Sequence, residues 1–193
     1  MKKPYILIPA NLSEESTKKK ADIILLTHSH DDHFSIETLK NLVKPTTIIV
    51  CPSDCEESLI GENFEFNIYV IKSGENIKLN RVKIEAIPAY SSSVHPSSAG
   101  WVDYVIEING FRIYHSGDTG FTPEMSALTN VDIAFVTVRE PYMMSPKEVI
   151  QSINVFKPKI LIPIHWIEEE KNNIDYIIKN APESTKVIIL ELK

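Results

Sequence analysis

Residues 23–33 read Ile23-Ile24-Leu25-Leu26-Thr27-His28-Ser29-His30-Asp31-Asp32-His33. The first four are apolar, a run with the length and composition of a buried strand. The chain then turns at once into three histidines and two aspartates. A strand that ends this way delivers its polar groups to the carboxyl edge of a sheet, where α/β folds gather ligand-binding side chains. Alternation sends His28 and His30 in one direction, giving two imidazoles for a first cation. Asp32 and His33 lie a step further along and can face a second. Neutral imidazole and carboxylate suit zinc, and also manganese or iron.

One hexapeptide cannot close two coordination shells, so further ligands must come from elsewhere. Three residues suit: His95 in a serine-rich loop, Asp118 in Gly117-Asp118-Thr119-Gly120, and His165 at the end of the apolar run Ile160–Ile164. The glycines around Asp118 let the backbone turn tightly and expose its carboxylate, whose two oxygens can bridge two cations. His115 ends an alternating strand three residues before Asp118, a place that suits support or packing better than ligation.

The rest of the chain reads as short strands alternating with helices. Strands are expected at Tyr5–Ile8, Thr47–Val50, Phe66–Ile71, Ile77–Leu79, Val82–Ile87, Val102–Ile108, Phe111–His115, Asp132–Val138, Ile160–Ile164 and Lys186–Leu190. Helices are expected at Ile36–Leu42 behind Ser35, from Ser145 to about Phe156, and near Ile174–Lys179. Asn109-Gly110 is a hairpin turn, since both positions need positive φ. Ser145-Pro146-Lys147-Glu148 is a capping box with proline at the first helical position. Pro88 to Gly100 reads as a loop. These elements indicate a layered α/β sandwich.

Length fits one domain over residues 1–193. No apolar run reaches the roughly 18 residues of a membrane helix, and Pro4 and Pro9 break up the apolar start, so neither membrane span nor export signal is expected. Twenty basic against 26 acidic side chains give a net charge of −6, which argues against nucleic acid or an anionic membrane as partner. Cys51 and Cys55 read as unpaired thiols of a reducing cytoplasm. The nucleophile motif G-x-S-x-G and the phosphate-binding G-x-x-x-x-G-K are both absent.

Thr27-His28-Ser29-His30-Asp31-Asp32-His33 and Tyr114-His115-Ser116-Gly117-Asp118-Thr119 resemble the metal motifs of the metallo-β-lactamase superfamily. Ile87-Pro88-Ala89-Tyr90, Val94-His95-Pro96, Gly100-Trp101-Val102-Asp103-Tyr104, Pro123-Glu124-Met125 and Pro163-Ile164-His165-Trp166 resemble a narrower branch, predicted metal-dependent hydrolases similar to the L-ascorbate-6-phosphate lactonases. The resemblance implies a four-layer αββα sandwich with two divalent cations at one edge, zinc first and manganese or iron as alternatives. It gives His28, His30 and His95 to one cation, Asp32, His33 and His165 to the other, and Asp118 to both. It also implies hydrolysis of a small-molecule ester, lactone or phosphodiester by a hydroxide bridging the metals, with Asp32 and Asp118 as the catalytic carboxylates. Two other classes remain open: a non-catalytic relative with a degenerate site, and a mononuclear iron oxidoreductase. His30 stands where oxygen-handling relatives usually have glutamate, which favours the hydrolase.

Three departures from the resembled pattern matter. The usual N-terminal strand pair is missing, which leaves Tyr5–Ile8 with an open edge that a second copy of the chain can cover. Ile8 stands where an aspartate usually supports a metal-binding histidine. Arg139-Glu140 replaces two glycines near the expected pocket, and Arg139 has two readings: it binds an anionic substrate group, or it pairs with Glu140 or another carboxylate.

Overall fold

The computed structural model describes residues 4–9, 18–61 and 67–190. By internal contacts the chain forms two compact units, Met1–Lys72 and Ser73–Lys193.

The first unit is built on a parallel sheet in the order β1-β2-β3-β4, with β1 at Ile6–Leu7, β2 at Ile23–Leu25, β3 at Ile48–Cys51 and β4 at Asn67–Val70. All three residues of β2 are buried, as its unbroken apolar run requires. Helix α1 (Ile36–Leu42) has the predicted bounds, and the Ser35 hydroxyl accepts the Thr38 amide at 3.3 Å. Its Leu39 and Leu42 pack with Ile24, Leu26 and Ile49 in one apolar cluster. Helix α2 (Ser53–Gly61) was not expected from the sequence. It buries only Cys55 and Leu59, four apart, a stripe too narrow to stand out as a helical period. Cys51 and Cys55 are free and buried, as the sequence implies. Burial, with Glu56 and Asp54 nearby, pushes the Cys51 thiol up to about 12, and burial pushes Cys55 up as well. Burial favours the thiol over the thiolate at both, which disfavours either as a nucleophile. Phe66 of the predicted fourth strand lies outside the described residues.

The second unit carries seven strands in the order β11-β10-β9-β8-β7-β6-β5. β5 (Asn76–Leu79), β6 (Val82–Pro88), β7 (Val102–Ile108) and β8 (Phe111–His115) form an antiparallel meander. β9 (Ile133–Thr137), β10 (Ile160–Ile164) and β11 (Lys186–Val187) then run parallel, and β9 lies parallel to β8. Asn109 and Gly110 have φ of 52° and 82°, the left-handed pair a two-residue hairpin needs. Helix α3 (Pro123–Ser126) is a short turn capped by Thr122 that the sequence reading passed over. Helix α4 (Pro146–Phe156) opens on the predicted capping box, and α5 (Lys171–Asn180) starts three residues earlier than expected. Met125, Val149, Ile153, Phe156, Ile174 and Ile177 pack from these helices onto Val105, Tyr114, Ala134, Val136 and Leu161 of the sheet. Side chains of that size contribute about 1.5–3 kcal/mol each when fully buried. Two sheets, each with helices packed on it, are the α/β class that the sequence indicates. No helix among the described residues is long and apolar enough to cross a membrane.

Asp132 fastens the entry to β9. Its carboxylate accepts the Arg112 amide at 2.8 Å and Lys159 Nζ at 2.7 Å, and these bonds, Lys159 first, hold its carboxyl below the usual range. A carboxyl lowered in the folded state adds stability above its unfolded pKa of about 3.9 and loses it as pH falls through the lowered value. Asp132→Asn is therefore expected to be less stable than the wild type in urea unfolding at pH 7. The gap should close toward about pH 2, whereas a gap constant with pH would contradict the assignment.

Candidate metal centre

In the first unit the donors all follow β2. The Leu26 amide still pairs with the Val50 carbonyl at 2.9 Å, after which the chain folds back on itself. The amides of His33 and Phe34 both donate to the His30 carbonyl at 2.8 Å. That turn gathers the imidazoles: the ring centroids of His28 lie 4.8 Å from His30 and 4.3 Å from His33. Asp32 Oδ2 lies 3.5 Å from His33 Nε2. His28 and His33 are buried, while Asp32 and His30 are partly open. Thr27 Oγ1 sits 2.9 Å from His28 Nδ1. The hydroxyl takes up one ring nitrogen and orients the ring, so a cation would meet the other, Nε2. Ile8 brings no carboxylate to this unit, and Thr27 is the polar neighbour that fixes His28.

In the second unit the donors sit at strand ends and in one loop. Asp118 follows β8, His165 follows β10, and His95 lies between β6 and β7. The Ser91 amide donates to the His95 carbonyl at 3.0 Å, and the His95 amide to the Ser92 carbonyl at 3.1 Å. The Gly120 amide reaches the Tyr90 carbonyl at 2.8 Å, tying the Asp118 turn to this loop. A Cβ on Gly120 would stand 3.3 Å from Ser91 Cβ, so the approach leaves little room for a larger residue.

Asp118 turns one oxygen to each histidine. Oδ2 is 3.4 Å from His95 Nε2, and Oδ1 is 3.5 Å from His165 Nε2. Charge-assisted hydrogen bonds between such groups close to about 2.7–2.9 Å. A tetrahedral ion with ligands at about 2.0–2.1 Å instead sets its ligands about 3.3–3.4 Å apart. Both distances fit the spacing of ligands around an ion better than that of a hydrogen bond. His165 reaches its position with φ of 65°, a left-handed backbone that costs a non-glycine residue about 1–3 kcal/mol and is kept where a site requires it.

The turn before Asp118 is pinned by a residue that the sequence reading quoted only within Gly100-Trp101-Val102-Asp103-Tyr104 and gave no role. Asp103, on β7 and fully buried, accepts the Tyr114 hydroxyl at 2.6 Å and the Gly117 amide at 2.8 Å. Burial pushes its carboxyl up to about 8, against the two hydrogen bonds and with the nearby Asp118 adding to the rise. Burial and Asp103 push the Tyr114 hydroxyl up too. On the other side, Ser116 Oγ accepts the Thr137 amide at 2.8 Å. The sequence signal was an acidic residue inside the apolar run Val102–Ile106. His115 stacks on Phe135 at 5.8 Å, the packing role its position suggested.

The structure thus brings His28, His30, Asp32 and His33 together in one unit, and His95, Asp118 and His165 in the other. Imidazole and carboxylate donors without a thiolate fit zinc, manganese or iron.

The model of the β-lactamase superfamily domain matches residues 4–165, so one family pattern runs through both units. The chain belongs to this superfamily. Among curated relatives, a UPF0173 metal-dependent hydrolase of Thermococcus onnurineus is 30% identical over 153 residues, covering 76% of this chain and 67% of the relative. One from Thermoplasma acidophilum is 30% identical over 198 residues, covering 96% and 84%. A crystal structure of a metal-dependent hydrolase candidate from Parabacteroides distasonis superposes with a TM-score of 0.83 at 30% identity, covering 97% of this chain and 85% of that one. A metallo hydrolase from Ignicoccus hospitalis, 20% identical, shares the fold at a TM-score of 0.71 over 89% and 77% of the two chains. Within the superfamily the chain groups with the metal-dependent hydrolases.

Asp103→Ala leaves the Tyr114 hydroxyl and the Gly117 amide without their acceptor. The expected loss is about 1–3 kcal/mol for each buried donor left unpaired, read by denaturant unfolding. A change near zero would mean that Asp103 does not hold the turn.

Proposed function

We propose that this chain is a binuclear metal-dependent hydrolase and that, as the resemblance implies, His28, His30, His95 and Asp118 hold one divalent cation and Asp32, His33, Asp118 and His165 a second. The observation that carries the reading is Asp118, with one oxygen toward each of two histidines at ligand spacing. Zinc is the first expectation, manganese and iron the alternatives. Bound cations supply a water acidified toward neutral pH and a Lewis acid for the oxygen under attack. The residues do the rest. Asp32, the most open of the carboxylates at 36% side-chain exposure, accepts a hydrogen bond from the attacking water and orients it. Asp118 holds one oxygen toward His95 and the other toward His165, and Asp103 fixes the turn before Asp118.

The substrate in this reading is a small-molecule ester, lactone or phosphodiester, with lactones first on the resemblance to the lactonase branch. The unpaired Cys51 and Cys55 and the acidic balance of the chain are consistent with a cytoplasmic enzyme that does not act on nucleic acid.

Metal analysis by mass spectrometry, on protein purified without chelator or added metal, is expected to give about two equivalents per chain. Asp118→Ala should lose most of both, and His30→Ala about half, with far-ultraviolet circular dichroism unchanged. Full loading of Asp118→Ala, or a wild type that takes up no metal on dialysis, would overturn the reading.

β1 ends its sheet and pairs only with β2 among the described strands, and an uncovered edge invites a second strand. A homodimer joined there is expected by light scattering at micromolar concentration. Replacing Ile6 by proline, which removes a ladder donor, should shift it to monomer; a wild type that is already monomeric refutes the pairing.

A further inference from the structure

Strands β8, β9 and β10 are adjacent and parallel, so their carboxyl ends lie side by side, where parallel α/β sheets place ligands. The outer two lead to Asp118 and His165. The middle one ends at Thr137 and runs on as Val138-Arg139. The Val138 amide still donates to the Ile164 carbonyl at 3.0 Å, which keeps Arg139 level with the start of the His165 turn. Arg139 is the first charged residue beyond β9, between the strands that deliver the two ligands.

The backbone of Arg139 is fixed on all sides. Its amide donates to the Met144 carbonyl at 3.1 Å, and its carbonyl accepts the Tyr142 amide at 3.1 Å and the Met143 amide at 2.8 Å. The Ser91 hydroxyl binds the Tyr142 carbonyl, joining this turn to the loop that carries His95. The side chain is uncommitted. It is half-buried and, among the described residues, makes no hydrogen bond or ion pair. Glu140 beside it is exposed and does not pair with it. Of the two sequence readings, pairing with a carboxylate of this chain therefore has no support in the second unit. An arginine side chain with no hydrogen bond or ion pair among the described residues keeps its donors available to an anion. Its planar fork of donors matches a carboxylate or a phosphate in two parallel hydrogen bonds.

We infer that Arg139 binds an oxyanion group of the substrate, carboxylate or phosphate, and gives the site a preference for anionic esters or lactones over neutral ones. The inference rests on the hydrolase reading above and deepens it. The test compares wild type and Arg139→Gln, both of verified metal content, on three lactones of one ring size bearing a phosphomethyl, a carboxymethyl or a hydroxymethyl group. The ratio of kcat/KM for anionic over neutral lactone should fall about ten- to hundredfold in the variant, mainly through KM, with partial recovery in Arg139→Lys. The anion whose ratio falls further is the one recognised. An unchanged ratio overturns the inference. If the metal-loaded wild type turns over none of the three, it is the lactone reading of the proposed function that fails. Calorimetric titration with phenylphosphonate and benzoate then decides Arg139: binding about tenfold weaker in Arg139→Gln supports it, and equal binding overturns it.

Discussion

A carboxylate that is 5% exposed must be matched on every lone pair it keeps. Asp118 turns one oxygen toward His95 and the other toward His165 at 3.4 and 3.5 Å, a spacing that suits ligands of a cation better than a hydrogen bond, and the layout of the second unit follows from it. The two histidines come from opposite ends of the unit's sequence. Only a sheet that switches from an antiparallel meander to parallel strands at β8 can set the ends of β8 and β10 near each other with one strand between. The loop before β7 then has to double back over Gly120 to bring His95 in. A substituent on Gly120 would press on that loop, and this explains the glycine without appeal to flexibility.

Asp103 and Asp118 show how environment divides the work between two buried carboxyls. Asp103 meets neutral donors, a phenol and an amide, and burial drives it toward its protonated form. A carboxyl that is protonated can hold a turn without adding a full negative charge beside Asp118. Asp118 faces imidazoles, which are metal ligands when neutral. The same residue type thus braces a turn from β7 and, at the end of the neighbouring strand β8, faces two imidazoles. Neighbours decide this, and position in the sequence does not.

How much of this was legible beforehand depends on the range of the interactions involved. The hairpin at Asn109-Gly110, the box at Ser145–Glu148, helix α1 and the donor hexapeptide are set by residues within a few positions of each other, and all lie where the sequence puts them. Helices α2 and α3 were passed over because one buries just two residues and the other is a single turn. Asp103 was invisible for a different reason. Its partners are 11 and 14 residues away and reach it only through the β7–β8 pairing. The left-handed backbone of His165 likewise carries no local mark, since nothing about histidine asks for it. Strand ends were the least certain: β11 stops at Val187 where the apolar run continues to Leu190.

Arg139 stands at the limit of what a sequence can say. A guanidinium beside a glutamate reads equally well as a salt bridge or as a docking point, and residue type alone cannot separate them. The turn that fixes its backbone and leaves its fork without a partner among the described residues favours the docking point. Rigidity also matters for the chemistry, because a cation held on a braced turn loses little freedom when an anion arrives. Placed on the strand between those that carry Asp118 and His165, it can grip a charged group away from the bond being cleaved. Binding energy and reacting atoms would then be handled by different strand ends, so that specificity can change at position 139 while the ligand set stays as it is.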